Sequence, residues 1–282
     1  MAIQWFPGHM KKALDGVKKV LPLIDLCIEI LDARIPASSS NALLEKITER
    51  KPRLLLLNKK DMADPRETEK WVQAYRAQGH QALAIDALDQ GEANRILAAC
   101  QALMKASEKN QRQADRFEHE LRCLVFGIPN SGKSTVINLL AGRRSAKVGN
   151  RPGITTGQQW IKTKSSLVLM DTPGVLWHKF EGDQALHLAF TGAIRDEILP
   201  VQDIGYAFLR LLQSRNPDVI QDRYGISPQE DPVRIMEHIA QSIGALYKGG
   251  EADYDRVSRR ILDDFRKLRL GRVSLERVDT KF

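Results

Sequence analysis

The spacing of hydrophobic positions changes character once along this chain. Up to about residue 178, short apolar runs alternate with amphipathic stretches; beyond it only helical spacing remains. Residues 23–31 form an apolar run suited to a buried strand, and it ends in Asp32-Ala33-Arg34-Ile35-Pro36. Residues 40–50 carry helical spacing. Residues 53–57 predict a second buried strand that runs directly into Asn58. Asp64-Pro65 reads as a helix start, with proline at the first helical position. Further along, 82–85 predict a short strand, 94–105 a helix, 121–126 a strand and 133–140 a helix, while 158–163 and 166–170 predict a hairpin. Strands alternating with helices predict a mostly parallel sheet covered on both faces. In the last third, 185–193, 201–212, 233–245 and 254–268 have helical periodicity, with turns at Asn216-Pro217, Ser227-Pro228 and Gly249-Gly250. The expected architecture is an α/β domain over residues 1–178 and a small all-helical domain over 179–282. The polar stretch 107–120 joins the two halves of the first domain.

Composition narrows this little. The chain of 282 residues is 43% hydrophobic and 28% charged, ordinary values for a soluble protein. No apolar run approaches the ~20 residues of a membrane span. The opening Met1-Ala2-Ile3-Gln4-Trp5-Phe6-Pro7-Gly8-His9-Met10 resembles neither a signal nor a transit peptide, so a cytoplasmic protein is expected. Cys27, Cys100 and Cys123 lack metal-binding spacing and are expected to be buried small hydrophobes. Charge says more. The net +8 and pI near 9.4 suggest a polyanionic partner. The excess sits in the first part, because residues 181–282 hold 15 basic against 17 acidic residues. The tail still concentrates Arg256, Arg259, Arg260, Arg266, Lys267 and Arg269 on one amphipathic segment, a candidate RNA-binding face. A solvated charged face balanced by Asp263 and Asp264 is the alternative.

Candidate chemistry centres on residues 127–134, Gly-Ile-Pro-Asn-Ser-Gly-Lys-Ser, a full G-x-x-x-x-G-K-S phosphate loop between a strand and a helix. Glycines let backbone N–H groups curl around phosphate at a helix N-terminus. Asn130, Ser131, Gly132, Lys133, Ser134 and Thr135 are therefore assigned to the nucleotide, with Lys133 on the β- and γ-phosphates and Ser134 on Mg²⁺. Asp171-Thr172-Pro173-Gly174 closes the next apolar run: Asp171 is expected to reach Mg²⁺ through water and the Gly174 N–H to meet the γ-phosphate. In the loop Pro152-Gly153-Ile154-Thr155, Thr155 is the candidate second hydroxyl on Mg²⁺, with Thr156 as the alternative. Asn58-Lys59-Lys60-Asp61 fits a guanine reader. Asp61 accepts from the guanine N1–H and amine, Asn58 holds the base edge and loop, and the Lys59 stem covers the ring. Val175 stands where many GTPases place a water-orienting glutamine. His9 is a candidate to replace it, a surface or capping histidine being the other reading.

The base reader precedes the phosphate loop, the reverse of the usual GTPase order. With that order, the Trp-Phe-Pro-Gly-His-Met opening, Asp-Ala-Arg-Ile-Pro, Asn-Lys-Lys-Asp, the phosphate loop, Pro-Gly-Ile-Thr and Asp-Thr-Pro-Gly, the chain resembles the circularly permuted GTPases of the ribosome biogenesis GTPase A (YlqF/RbgA) family over residues 1 to about 180. The resemblance implies GTP hydrolysis to GDP coupled to late assembly of the large ribosomal subunit, with the helical domain on ribosomal RNA. It implies a catalytic role for His9 and a potassium ion held by Asn130. It places a backbone contact to guanine at Asp86 and Ala87, where Ile85-Asp86-Ala87 replaces the expected Ser-Ala type. Slow turnover alone, stimulation by ribosomal particles and a monomer off the ribosome are expected. Because the chain passes from Gly174 into the helical domain, loss of the γ-phosphate is expected to pull on that domain directly. A GTPase acting on tRNA or the small subunit, and an RNA scaffold with negligible turnover, remain alternatives.

Overall fold

The computed structural model describes residues 3–4, 7–106, 120–142, 159–172, 179–180 and 182–278, with backbone alone at 3–4, 7–13 and 179–180. In chain order its strands are β1 (Ile3–Gln4), β2 (Leu26–Asp32), β3 (Arg53–Asn58), β4 (Gln81–Ala84), β5 (Leu121–Gly127), β6 (Gln159–Lys162), β7 (Leu167–Asp171) and β8 (Lys179–Phe180). Its helices are α1 (Pro7–Val20), α2 (Pro36–Ser39), α3 (Ala42–Thr48), α4 (Pro65–Ala77), α5 (Glu92–Ala106), α6 (Lys133–Ala141), α7 (Gly182–Phe190), α8 (Val201–Arg215), α9 (Asp218–Tyr224), α10 (Pro232–Ile243) and α11 (Tyr254–Arg266).

Six strands make one sheet in the order β4-β3-β2-β5-β7-β6, parallel throughout except for the antiparallel edge strand β6. The first half of the chain winds outward from β2 in one direction and the second half from β5 in the other. The two halves meet at the β2–β5 pair. Strand alternation sends Ile28, Ile30, Leu54, Leu56, Cys123 and Val125 to one face, under α5 and α6. Cys27, Leu124 and Phe126 turn to the other face against Val17 of α1 and Leu44 of α3, while Leu31, Leu55 and Leu57 meet Trp71 and Val72 of α4. All three cysteines are buried. A separate two-residue ladder joins β1 to β8, antiparallel.

Helices α7 to α11 share a core centred on Phe190, Phe208 and Phe265, whose rings stand 4.8 and 5.0 Å apart in sequence. Gly205 lets α8 approach α11 so closely that an added Cβ would lie 2.3 Å from Ser258 Oγ. This core is continuous with the sheet domain, because Ile35 and Ile128 belong to it. The chain then returns. The Leu275 N–H donates to Arg34 O at 2.9 Å, the Asp64 N–H donates to Ser274 Oγ at 3.0 Å, and Trp71 Nε1 donates to Glu276 O at 3.3 Å. The buried Glu276 carboxylate accepts the Ala37 and Ser38 N–H groups at the start of α2 and lies 2.9 Å from His187 Nδ1. A segment with no periodic signal thus straps the helices to the α/β domain.

Of the boundaries that differ from expectation, two have a clear local cause. The first long strand starts at Leu26 because Leu21-Pro22-Leu23 forms a 3-10 turn, proline lacking the N–H a ladder needs. The expected helix 40–50 is split: α2 ends before Ser40, and Asn41 caps α3 by accepting the Leu44 N–H. The α9 turn of helix carried too short a pattern to be anticipated.

Candidate nucleotide site

Four parallel strands end on one rim of the sheet, and each delivers a residue of the site: Asp32 from β2, Asn58 from β3, the phosphate loop from β5 and Asp171 from β7. The crevice at the carboxyl ends of parallel strands, where winding reverses, is the standing ligand position of open α/β sheets. Here it lies at the β2–β5 junction.

The phosphate loop takes its shape from its sequence. Asn130 and Gly132 adopt left-handed backbone, φ 60° and 93°. A Cβ on Gly127 would stand 2.5 Å from Ile30 O, and one on Gly132 would stand 2.1 Å from Asn58 Nδ2. Neither glycine has a substitute, one because of the neighbouring strand and the other because of the base reader. Asn58 is a buried joint between three loops. Its Nδ2 donates to Ser131 O at 2.8 Å, and its Oδ1 accepts the Ala87 N–H at 3.1 Å. Base reader, phosphate loop and the Asp86-Ala87 loop are therefore one assembly, although 73 residues separate Asn58 from Ser131.

Lys133 and Asp171 are both buried and pair with each other. Burial pulls the Lys133 pKa down, and the Asp171 carboxylate offsets part of that. The second carboxylate oxygen, Asp171 Oδ2, is buried and has no hydrogen-bond partner among the described residues. An orphaned carboxylate oxygen beside the first turn of α6, where Ser134 lies, suits a Mg²⁺ reached through water. Asp61 is half-buried, and burial together with the nearby Asp86 raises its pKa. A pairing with the guanine N1–H and amine would favour its charged form and oppose that rise.

Three side chains behave in ways the motifs did not disclose. Lys59, itself at φ 62°, donates to Asn130 O in the phosphate loop and to Asp32 Oδ2 at 2.9 Å. Asn130 Nδ2 donates to Gly192 O at 2.6 Å, so the phosphate loop is bonded directly to the end of α7 in the helical domain. The adjacent Lys60 binds the buried Glu92 at the head of α5. The signal for Glu92 was an acidic residue in the first turn of a helix, which sequence leaves indistinguishable from a dipole partner.

His9 lies in α1, with only its backbone described; Thr155, Gly174 and Val175 lie outside the described residues. The basic tail is organised otherwise than expected. Arg266 is bound inward, donating to Ala189 and Phe190 carbonyls at the end of α7 and pairing with Asp196. Arg260 and Arg269 converge with Arg223 on the fully buried Asp264. Arg259 pairs with Asp255, Lys267 with Asp263, and Arg256 donates to Gly244 O. Arg266 therefore does not belong to an outward RNA face, because a helix C-terminus and a carboxylate already satisfy its donors. Of the six candidates, Arg256, Arg259, Lys267 and Arg269 are exposed, and Arg259, Lys267 and Arg269 have exposed carboxylate partners.

The chain is similar to known GTPases. Residues 122–236 match the family model described as 50S ribosome-binding GTPase. The ribosome biogenesis GTPase A of Bacillus cereus is 44% identical over 279 residues, covering 98% of this chain and 94% of that protein. The protein of that name from Thermotoga maritima is 33% identical, covering 98% of this chain and 95% of the relative. Among solved structures, GNP-bound YlqF from T. maritima superposes with a TM-score of 0.69 at 28% identity, covering 96% of this chain and 100% of that one.

Proposed function

The chain belongs to the ribosome biogenesis GTPase A family, and on that premise we propose that it engages the assembling large ribosomal subunit in its GTP state and leaves after hydrolysis. That it is a GTP-binding GTPase of ribosome assembly follows from the family itself. The further reading rests on one observation above the others: Asn130 of the phosphate loop is hydrogen-bonded to Gly192, so a change at the phosphates is felt in the helical domain within one bond.

Lys133 is poised to exchange its Asp171 partner for the β- and γ-phosphates, which would free Asp171 to hold a metal-bound water. Ser134 and Thr155 would hold Mg²⁺, which screens the phosphate charge when bound. A K⁺ ion would use the Asn130 amide oxygen, the other end of the group whose nitrogen holds Gly192. Val175 cannot orient water, so turnover is expected to be slow until a particle completes the site, with His9 carried on α1 as the candidate group. Ribosomal RNA would meet the exposed Arg256, Arg259, Lys267 and Arg269, with phosphate taking over from the exposed carboxylates of Asp255 and Asp263 at Arg259 and Lys267. The protein is expected to act as a monomer in the cytoplasm.

The test is GTP hydrolysis in K⁺ buffer with purified large or small subunits. Stimulation by large subunits alone, lost in His9→Ala, is the expected result. Equal stimulation by small subunits, or equal ribosome affinity with GTP, GDP and no nucleotide, would overturn the reading.

A further inference from the structure

Asp32 ends β2 in register with Asn58 of β3, buried to 1% exposure. Its carboxylate receives four donors. Oδ1 accepts the Arg34 N–H at 3.1 Å and Arg34 Nε at 2.9 Å; Oδ2 accepts Arg34 Nη2 at 2.7 Å and Lys59 Nζ at 2.9 Å. Neither of its cations is a surface group: Arg34 is 2% exposed, and the Lys59 side chain 21%. Each cation also has a second attachment. Lys59 reaches across to Asn130 O in the phosphate loop. Arg34 lies 4.9 Å over the Phe265 ring of α11, and its carbonyl accepts the Leu275 N–H of the returning strap.

A lysine side chain has four rotatable bonds, and an ammonium held only by one carbonyl would be loosely placed. Asp32 on one side and Asn130 O on the other fix the Lys59 head, and with it the methylene stem expected to cover the guanine ring. The geometry points to Asp32 as a positioning residue for nucleotide binding: it holds Lys59 across the base site onto the phosphate loop, while Arg34 ties the same carboxylate to the helical domain. This rests on the reading of the crevice as a guanine-nucleotide site. Asp32 itself touches no part of the nucleotide in this account; it acts through Lys59.

The measurement is the affinity of Asp32→Asn for fluorescent GDP and GTP analogues, with kcat at saturating GTP. Loss of a charge-assisted hydrogen bond is expected to weaken GDP and GTP alike by roughly 10- to 100-fold. The saturated kcat should change by less than about threefold, because only uniform binding is removed. In a Lys59→Met background the same change should add less than about twofold, since its target is gone. Arg34→Met leaves the Asp32–Lys59 pair in place. It removes two of the four donors on the Asp32 carboxylate, so it should weaken nucleotide binding less than Asp32→Asn does while speeding hydrogen exchange in α11. Should Asp32→Asn not fold, Asp32→Asn with Arg34→Met removes anion and buried cation together and serves in its place. Unchanged GDP affinity in a folded Asp32 variant would overturn the inference, as would a full multiplicative loss on top of Lys59→Met. Failure of the parent protein to bind GDP would instead overturn the nucleotide-site reading.

Discussion

Replacing Glu276 by alanine probes the strap between the two domains. The side chain is fully buried, and its carboxylate accepts the Ala37 N–H at 2.7 Å, the Ser38 N–H at 3.1 Å and meets His187 Nδ1 at 2.9 Å. Alanine would leave two backbone donors without their acceptor and take the carboxylate from a 2% exposed imidazole that also meets Ser38 Oγ at 3.2 Å. Breaking a buried, hydrogen-bonded carboxylate site in this way costs about 3–5 kcal/mol. At roughly 2–4 °C per kcal/mol for a chain of this size, Tm should fall by about 6–20 °C. The assay is thermal unfolding by circular dichroism at pH 7, with exposed Glu197→Ala as control, expected to shift stability by less than about 0.5 kcal/mol. Glu276→Gln keeps an oxygen acceptor and should fall between the two. Because the contacts are buried, 0.5 M salt should leave the difference nearly intact. A Glu276→Ala protein melting within about 2 °C of its parent would refute the reasoning, since the strap would then contribute nothing beyond an exposed residue.

Gly205→Ala drives a Cβ to 2.3 Å from Ser258 Oγ and 2.4 Å from its Cβ, so overpacking of α8 on α11 should cost about 1–3 kcal/mol in urea unfolding. Removing the hydroxyl with Ser258→Ala should not restore it; parent-like stability in Gly205→Ala would count against the packing. Asp61→Asn should weaken GTP on the order of 10³-fold or more, with xanthosine triphosphate bound in its place, because the amide pairs with a 2-oxo group instead of a 2-amino group. Equal GTP affinity in isothermal titration would remove Asp61 from the base site. Burial acts to raise the Asp264 pKa, but hydrogen bonds from Arg223 and Arg269 and the ion pair with Arg260 outweigh it and hold the group below its ordinary 3.8. A lowered carboxylate contributes stability that is fully present above the unfolded value and is lost as pH falls through the folded one. Tm should therefore drop more steeply below about pH 4 in the parent than in Asp264→Asn, which lacks that contribution already at pH 7. Parallel Tm curves from pH 2 to 7 would contradict the assignment.

What the sequence determined by itself is what contiguous residues can encode. A phosphate loop needs successive N–H groups and glycines at fixed offsets, so residues 127–134 were readable as they stand, and the reversed position of Asn58-Lys59-Lys60-Asp61 was visible as order alone. Apolar runs placed β2, β3, β5 and β7 to within a few residues, because burial on both faces of a parallel sheet leaves a continuous apolar signature. Tertiary structure decided every bond between distant partners. Asn130 meets Gly192 across 62 residues, Lys59 meets Asn130 across 71, and Glu276 meets Ala37 across 239. A polar residue in a sequence carries a capacity to bond, not a partner. Arg266 illustrates this: as a charge in a basic amphipathic helix it looked outward, yet the end of α7 and Asp196 lie close enough to bind it. Asp32-Ala33-Arg34 was visible as a motif, but only the fold shows that its two charges face each other in a dry interior. There the loss of water makes the choice of partner energetically decisive.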